Sequence, residues 1–174
     1  TVDFVIVASG PNGASPHHEV SNRVISAGEP VVVDIGGSLP SGYCSDSTRT
    51  YVCGEPPAEY REHYAALQEA QQAAVDYARP GVTCESIDAV ARNIMVEHGL
   101  GKYFIHRTGH GIGLETHEDP YIVSGNTEVV QPGHAFSIEP GFYLPGRFGA
   151  RIEDIVTVDA TGVRSANTTT HDLI

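Results

Sequence analysis

The sequence predicts an α+β protein in which helices cover the outer face of a curved antiparallel sheet. Its β-prone stretches flank two helical segments without the strict strand–helix–strand alternation that is typical of a parallel sheet. A second observation is an internal echo, because Gly28–Gly36 and Gly133–Gly141 each run from a glycine through an apolar strand to a carboxylate and a further glycine. This repeat predicts two related halves, arranged about a pseudo-twofold axis, that face a shared centre.

The strands follow from the spacing of apolar residues. Val2–Ala8 predicts a first strand, and Asn22–Gly36 predicts a second strand region that delivers Asp34 at its end. A turn rich in Gly, Ser and Pro reverses the chain, and Asp46 then begins a third β-prone run through Thr48–Val52. The last two predicted strands are Ala135–Tyr143 and Ala150–Val158.

Two helices are predicted between these groups of strands. Tyrosine, leucine and alanine recur at three- or four-residue spacing through residues 58–78, which is typical of one buried helix face, and Pro80 and Gly81 stop this helix. Thr83 is expected to cap a second helix that runs to about His98 and stops at Gly99.

Length and composition limit the classes of function that the chain can have. A chain of 174 residues predicts one domain, and its net charge of −12 argues against nucleic acid or an anionic membrane as a partner. Three cysteines without C-x-x-C spacing favour reduced thiols and a cytoplasmic location. Because residue 1 lies inside a strand-like run, we expect residues 1–174 to be a piece of a longer polypeptide.

Several carboxylates are placed to converge. Asp34 and Asp46 lie on adjacent hairpin strands, whose cross-strand neighbours are ~5 Å apart, although a surface hairpin with turn-favouring aspartates is the alternative. Alternation along the last strand puts Arg151 and Glu153 on one face. If Glu139, at the end of the echo strand, faces the same point, four carboxylates share a cleft and repel one another unless cations neutralise them.

A glycine-rich segment from Phe104 to Pro120 holds three histidines, His106, His110 and His117. His106 and His110 have the spacing of a helical metal pair, but the glycines at 109, 111 and 113 disfavour a helix and instead allow close backbone approach in a strand or loop. Up to three imidazoles could face a cleft, one as a metal ligand and the others as proton donors or acceptors. The alternative is a loop with solvated histidines.

Four carboxylates and an imidazole suit two divalent metal ions, held ~3.5–4 Å apart by bridging carboxylates. Such a pair acidifies a bridging water into a hydroxide nucleophile and polarises the carbonyl under attack. Mn²⁺ is the expected ion for these hard ligands, while Zn²⁺, Co²⁺ and Fe²⁺ stay open. A structural Mg²⁺ or Ca²⁺ site would explain the acids but not the supply of histidines.

Five short motifs carry a family resemblance. They are Asp-Ile-Gly-Gly at Asp34, Ser-Asp-Ser-Thr-Arg-Thr at Asp46, Gly-His-Gly-Ile-Gly-Leu-Glu-Thr-His-Glu at His110, Ile-Glu-Pro-Gly at Glu139 and Arg-Ile-Glu-Asp at Glu153. Together they resemble the pita-bread dinuclear metallopeptidases, in particular the branch of Xaa-Pro dipeptidases (prolidases) and Xaa-Pro aminopeptidases. The resemblance implies that Asp34 chelates one metal, that Asp46 and Glu153 bridge both, and that His110 and Glu139 complete the other.

The same resemblance implies the remaining roles. Glu139 also shuttles protons, and His17 and His117 lie beside the scissile peptide, where they bind substrate and stabilise the tetrahedral intermediate. Supporting roles around the site fall to His106, Arg151 and Tyr143, the last beside the substrate. The implied activity removes the N-terminal residue before proline from dipeptides or short peptides, in a full-length protein that is a homodimer.

Other interpretations of these motifs stay open. Methionine aminopeptidases share the five ligands, although Thr48-Arg49-Thr50 and Arg151-Ile-Glu-Asp154 favour the proline-directed branch. A metal-free peptide-binding module on the same fold and a structural divalent-ion protein are the non-enzymatic alternatives. The interval from Asp34 to Asp46 is one residue longer than the resemblance leads us to expect, which an insertion in Ser38–Ser41 absorbs. An N-terminal domain and the opening helices of the catalytic domain are expected to be missing.

Overall fold

Ten strands and two helices make up the protein, whose computed structural model describes residues 1–174. The first half contains β1 (Val2–Ser9), β2 (Pro30–Ser38) and β3 (Cys44–Val52), followed by α1 (Ala58–Tyr77) and α2 (Cys84–Glu97). The second half contains β4 (Gly109–Gly111), β5 (Glu118–Ile122), β6 (Ala135–Ile138), β7 (Gly141–Leu144), β8 (Phe148–Arg151), β9 (Asp154–Val158) and β10 (Val163–Ser165). Short 3₁₀ turns occupy Gly10–Ala14 and Gly101–Tyr103.

The strands are antiparallel and form three hydrogen-bonded sheets. The first has the order β1-β2-β3, the second β10-β9-β6-β4-β5, and the third is the pair β7-β8. An isolated bridge between Thr48 and Glu153, which we call the seam, joins the first sheet to the second half, with the Glu153 amide donating to the Thr48 carbonyl at 3.1 Å. The predicted α+β class with an antiparallel sheet is confirmed.

Both helices are held by a single apolar core. In α1 the fully buried Tyr60 packs edge-on against Phe148 and Phe142, with ring centroids 5.0 and 5.9 Å away. In α2 the inward face includes Ile87 and Met95, neither of which is exposed to solvent. The core extends through β6 to β9, so the strands that flank Glu139 and Glu153 have rigid support. Neither helix has the length and apolar character that crossing a membrane requires.

The glycine-rich segment contributes a strand rather than a helix. A Cβ added to Gly109 would lie 1.8 Å from the Ser137 carbonyl oxygen, and one added to Gly111 would lie 2.4 Å from that of Asp119. No side chain fits at such distances, so the glycines allow β4 to lie between β5 and β6. This arrangement agrees with the close approach predicted from the sequence.

Two strand predictions in the first half were wrong. The second strand begins at Pro30 instead of Asn22, because residues 22–29 form a loop that the Arg23–Glu29 ion pair closes. Asp34 lies in the interior of β2, not at a strand end, because the strand continues through Ile35 to Ser38.

Four further details differ from prediction. The stretch Ala135–Tyr143 is two strands, since Pro140 has no N–H to donate and the ladder breaks there. The stretch Ala150–Val158 is also divided, because Ile152 and Glu153 leave the ladder and Glu153 pairs across the seam. Thr83 precedes α2 as expected but makes no side-chain cap; its carbonyl accepts a hydrogen bond from the Ser86 hydroxyl instead. The short strand β10 was not predicted.

Candidate active site and metal centre

A cleft of about 920 Å³ is lined by residues from both sheets. Every site residue predicted from the sequence lines it except Tyr143, which is buried beside it and contacts it through two partners. Side chains more than a hundred residues apart in the chain therefore meet in one place.

Three carboxylates form the first group in the cleft. The β2–β3 ladder runs without a bulge, with Asp34 opposite Thr48 and Asp46 opposite Gly36, so both aspartates project from the same face. Across the seam Glu153 joins them, and one oxygen from each of the three lies within 4.8 Å of the others. All three are almost completely buried. This spacing fits one cation held by three carboxylates.

His110 and Glu139 form a second group that shares Glu153. Nδ1 of His110 donates to the carbonyl of Gly111 at 3.1 Å, so Nε2 carries the free lone pair. That Nε2 lies 3.2 Å from Glu139 Oε1, 3.8 Å from Asp46 Oδ2 and 3.9 Å from Glu153 Oε1. Burial lowers the pKa of His110 to about 4, so the ring is neutral at pH 7. A neutral nitrogen facing carboxylates needs a proton or a cation between them.

The acids are strongly coupled to one another. Burial, together with the charges of Glu153 and Asp34, raises the pKa of Asp46 to about 9. Burial and Asp34 raise the pKa of Glu153 to about 7. The Oδ1 atoms of Asp34 and Asp46 are buried without a hydrogen-bond partner. Unpaired buried oxygens, mutual repulsion and an oxygen-rich donor set all fit divalent cations as the missing partners.

Arg151 is fully engaged with this cluster. It donates to the carboxylate of Asp34, to the Tyr143 hydroxyl at 2.8 Å and, through Nε, to the Thr48 hydroxyl at 3.0 Å. The Thr48 hydroxyl donates in turn to Glu153 Oε2 at 2.6 Å. Burial opposes the charge of Arg151, but Tyr143 and Asp34 outweigh it and keep its pKa well above the ordinary value. Arg151 and Thr48 therefore fix the orientation of two acids.

His106 supports the acid cluster from the side, and both of its ring nitrogens are engaged in hydrogen bonds. Its Nδ1 donates to the Arg107 carbonyl at 2.7 Å, and its Nε2 accepts from the Tyr143 hydroxyl at 2.9 Å. Burial lowers the pKa of His106 to about 4, which matches a neutral ring in this tautomer. With both nitrogens occupied, His106 holds Tyr143 in place.

The two remaining histidines lie at the open side of the cleft. His17 and His117 are both exposed, and the His117 ring meets the His110 ring edge-on with centroids 4.1 Å apart. A nitrogen of His117 also lies within 4.8 Å of ligand atoms of Asp46 and His110. Burial and the nearby Arg107 lower the pKa of His117. It therefore borders both the acid cluster and open space for a substrate.

Two supporting networks were missed by sequence reasoning. On α2, Asp88 accepts from the Thr108 hydroxyl at 2.7 Å and pairs with Arg92, which donates to the His106 carbonyl at 3.0 Å. The Thr108 carbonyl accepts the Glu139 amide at 2.7 Å, so α2 positions the segments that carry His106 and Glu139. The i,i+4 spacing of Asp88 and Arg92 was the available signal.

The second missed network centres on Arg49. It donates to Asp154 Oδ1 at 2.6 Å and to the Glu153 carbonyl at 2.7 Å, while His171 reaches the other oxygen of Asp154 at 2.9 Å. Arg49 also donates to the carbonyls of Thr169 and Thr170, so the C-terminal segment is tied to the seam. No local pattern reveals partners that lie this far apart. Thr48, by contrast, is predictable from alternation with Asp46 along β3.

Comparisons with known proteins agree with this architecture. The model of metallopeptidase family M24 matches residues 2–160. The probable dipeptidase PepE of Mycobacterium tuberculosis is 60% identical over 173 residues, and the Xaa-Pro dipeptidase of Lactobacillus delbrueckii subsp. lactis is 46% identical over 168 residues. The alignments cover 99% and 97% of this chain but only 46% and 45% of those proteins. The chain therefore spans about half the length of the curated relatives it matches.

A solved structure gives the same picture at the level of the fold. The crystal structure of dipeptidase PepE from Mycobacterium ulcerans superposes with a TM-score of 0.98 at 58% identity, covering 99% of this chain and 47% of that one. The expected fold and family are thus both confirmed. With a family model spanning nearly all of its length, the chain belongs to metallopeptidase family M24 and has the pita-bread fold.

Proposed function

We propose that residues 1–174 form the catalytic domain of a dinuclear metal-dependent exopeptidase. It hydrolyses the Xaa-Pro bond at the N-terminus of dipeptides or short peptides. The observation that carries this proposal is the pair of ligand groups that share Glu153 in one cleft with histidines at its open side. Xaa-Pro specificity is supported by the Xaa-Pro dipeptidases among the relatives. For the full-length protein we expect a cytoplasmic homodimer.

Five residues would hold two divalent ions, with Mn²⁺ expected and Co²⁺, Zn²⁺ or Fe²⁺ as alternatives. When bound, such ions supply an acidified water as the nucleophile and polarise the scissile carbonyl. As the family resemblance implies, Asp46 and Glu153 would serve both ions. The full ligand set is Asp34, Asp46, His110, Glu139 and Glu153.

Glu139 is suited to hold and move the proton. Its carboxyl is buried against Glu153, and burial followed by that charge raises its pKa well above the ordinary value. The Ser137 hydroxyl donates to Oε1 at 3.0 Å and fixes the orientation of the group. A carboxyl with a raised pKa can accept a proton from the attacking water and deliver it to the departing prolyl nitrogen.

The histidines at the open side bind and orient the peptide. His117 and His17 can donate to the oxygen of the scissile carbonyl as negative charge develops on it, where a positioned donor contributes most. Behind the acids, His106, Tyr143 and Arg151 form a continuous hydrogen-bonded chain that ends on Asp34. This chain keeps the carboxylates in place during turnover.

The test is hydrolysis of Ala-Pro and Gly-Pro by the purified protein, first after chelation and then after adding each candidate metal. We expect no activity in chelator, recovery with Mn²⁺, and little cleavage of Ala-Ala. Cleavage of Met-Ala in preference to Ala-Pro would assign the chain to the methionine aminopeptidase type. Metal binding without cleavage of any peptide would overturn the enzymatic proposal.

A further inference from the structure

The two sheets meet behind the acid cluster, where their main chains touch at one point. β3 is the edge strand of its sheet, and the hydrogen bond at the seam is the only one that its backbone makes to the backbone of residues 150–158. Residues of a working site must hold their relative positions to within about 0.5 Å. Because one backbone hydrogen bond leaves two strands free to rotate about it, side chains must supply further links.

Asn167 supplies such a link on one side of the seam. Its Nδ2 donates to the Asp46 carbonyl at 3.1 Å, and its Oδ1 accepts from the Ile155 amide at 2.7 Å. A carbonyl can only accept and an amide N–H can only donate, so these two partners fix the orientation of the carboxamide. The position therefore uses a donor and an acceptor on one short planar side chain.

The backbone around Asn167 is held in place as well. The Ser165 hydroxyl, at the end of β10, donates to the Asn167 carbonyl at 3.0 Å and accepts from the Asn167 amide at 3.2 Å. The Ala166 amide between them donates to the Ile155 carbonyl at 2.8 Å. Both backbone groups of Ile155 are thus bound by the segment that carries Asn167. This half-buried side chain is therefore a fixed link rather than a freely moving surface group.

The link connects the strands of the two acids that are proposed to serve both ions. Asn167 holds the backbone of Asp46 itself, and it holds β9 at Ile155, two residues beyond Glu153. The two acids have ligand oxygens within 4.8 Å of each other, so a shift of one strand against the other would change that spacing directly. Along β3 the link lies at Asp46 and the seam at Thr48, and two points of attachment resist rotation as well as sliding.

We propose that Asn167 is a positioning residue for the metal centre, which sets the spacing of Asp46 and Glu153 by joining their strands. The inference rests on the proposed function, because that function assigns these two acids to both ions. Asn167 does not line the cleft and touches neither ion nor substrate. It gives the segment that follows β10 a part in metal binding.

The test replaces Asn167 and measures metal binding directly. Asn167→Ala removes both hydrogen bonds, and Asn167→Leu removes them while keeping the size of the side chain. We expect each variant to bind Mn²⁺ about 10-fold more weakly, the lower limit for groups that orient metal ligands. The electron paramagnetic resonance signal of the coupled Mn²⁺ pair should also change, because the coupling depends on the spacing of the ions. Titration calorimetry and the resonance spectrum supply these readouts without substrate.

Asn126 provides the matched control, because it makes the same two kinds of hydrogen bond. Its Nδ2 donates to the Tyr121 carbonyl at 2.7 Å, its Oδ1 accepts from the Glu128 amide at 3.0 Å, and it is also half-buried. Both of its partners lie in the second half of the chain, so this link does not join the two sheets. Asn126→Ala should lower stability to urea as Asn167→Ala does, but leave Mn²⁺ affinity and the resonance signal unchanged.

These measurements separate the role of Asn167 from the peptidase assignment. If the Asn167 variants lose Mn²⁺ affinity but the wild type cleaves no Xaa-Pro peptide, the proposed function fails and the positioning role stands. If the wild type cleaves Ala-Pro and the Asn167 variants bind Mn²⁺ normally, the positioning role is wrong and the peptidase assignment is unaffected. Equal losses of affinity in Asn167→Ala and Asn126→Ala would also overturn it, since they would reflect stability alone.

A measurement on the wild type decides the question if both Asn167 variants unfold. Coupling between two equilibria is reciprocal, so a link that favours the bound ions is itself favoured by them. Adding Zn²⁺, which is diamagnetic and suits nuclear magnetic resonance, to the chelated protein should then slow hydrogen exchange of the Ile155 amide about 10-fold. An exchange rate that Zn²⁺ leaves unchanged would contradict the positioning role.

Discussion

Glu153 is the single side chain on which the candidate site depends most. It belongs to both ligand groups, receives a hydrogen bond from the buried Thr48 hydroxyl, and pairs through its backbone across the seam. Its position is thus set by both sheets at once. By comparison Asp46 contacts the site only through its carboxylate, which makes it the cleaner residue for a test of metal binding.

Asp46→Ala should abolish metal loading and activity together. Removing a carboxylate shared by the proposed metal positions opens both of them. Without the cations, the remaining acids are left to repel one another. Metal content measured by mass spectrometry and Ala-Pro turnover provide the readouts. Retention of two bound ions would contradict the bridging role of Asp46.

His117→Ala should slow turnover by about 100-fold or more, the usual range for a lost catalytic donor, while leaving metal content unchanged. The side chain is exposed at the edge of the acid cluster, so the ligand set stays complete without it. Metal analysis run beside the kinetics distinguishes the outcomes. A loss of metal would show that His117 joins Asp46 and His110 as a ligand.

Among the elements, β3 does the most to organise the site, because one face of it carries Asp46, Thr48 and Thr50. All three are buried, and each contacts a different part of the cluster. Helix α2 has a similar supporting function, since Asp88 and Arg92 fasten the segments around His106 and Glu139.

Thr48→Val should weaken metal affinity 10- to 100-fold, as expected for loss of a group that orients a ligand. The substitution keeps the shape but leaves Glu153 Oε2 without its donor and Arg151 Nε without its acceptor. Unfolding free energy should fall by about 1–3 kcal/mol. Titration with Mn²⁺ and urea unfolding measure the two effects.

Thr50→Val is the matched control, because the Thr50 hydroxyl is equally buried but bonds only the backbone of Arg151. It should destabilise the fold without changing Mn²⁺ affinity. Equal losses of affinity in the two variants would mean that Thr48 contributes packing rather than orientation.

Element positions followed well from the sequence where one local rule applied. The 3.6-residue period of the apolar residues predicted both helices. The repeated pattern of glycine, strand and acid drew attention to Asp34 and Glu139. Breaks in the strands were harder to foresee, since the departure of Glu153 from its ladder depends on Thr48 in another sheet. The pairing of Arg49 with Asp154 and His171 had no local signal at all, because it exists only after the chain has folded.

At the scale of the whole molecule, protons and metal ions compete for one buried cluster. Burial and neighbouring acids raise the pKa of Glu153 from 4.5 to about 7 and that of Asp46 from 3.8 to about 9. The metal-free folded state therefore binds more protons than the unfolded chain, and its stability falls as the pH rises through this range. Cations replace those protons, so the stabilisation that they provide grows with pH.

We accordingly expect the difference in unfolding free energy between Mn²⁺-loaded and chelated protein to widen from pH 5 to pH 8. Urea unfolding followed by circular dichroism at several pH values measures it. Asp46→Asn should flatten the pH dependence of the chelated protein, because one of the strongly shifted groups no longer titrates. A difference that stays constant with pH would show that the cluster does not bind the ion.

The unbroken register of the β2–β3 hairpin limits where this chain can change in length. Removing or adding a single residue within Cys44–Val52 would turn Asp46 outward and bring its neighbours inward, which would dismantle the site in one step. The tip, Leu39–Tyr43, lies outside the ladder and can grow or shrink without rotating either aspartate. Insertions and deletions are therefore tolerated only at the tip of the hairpin, where an additional residue between the two aspartates leaves the site intact.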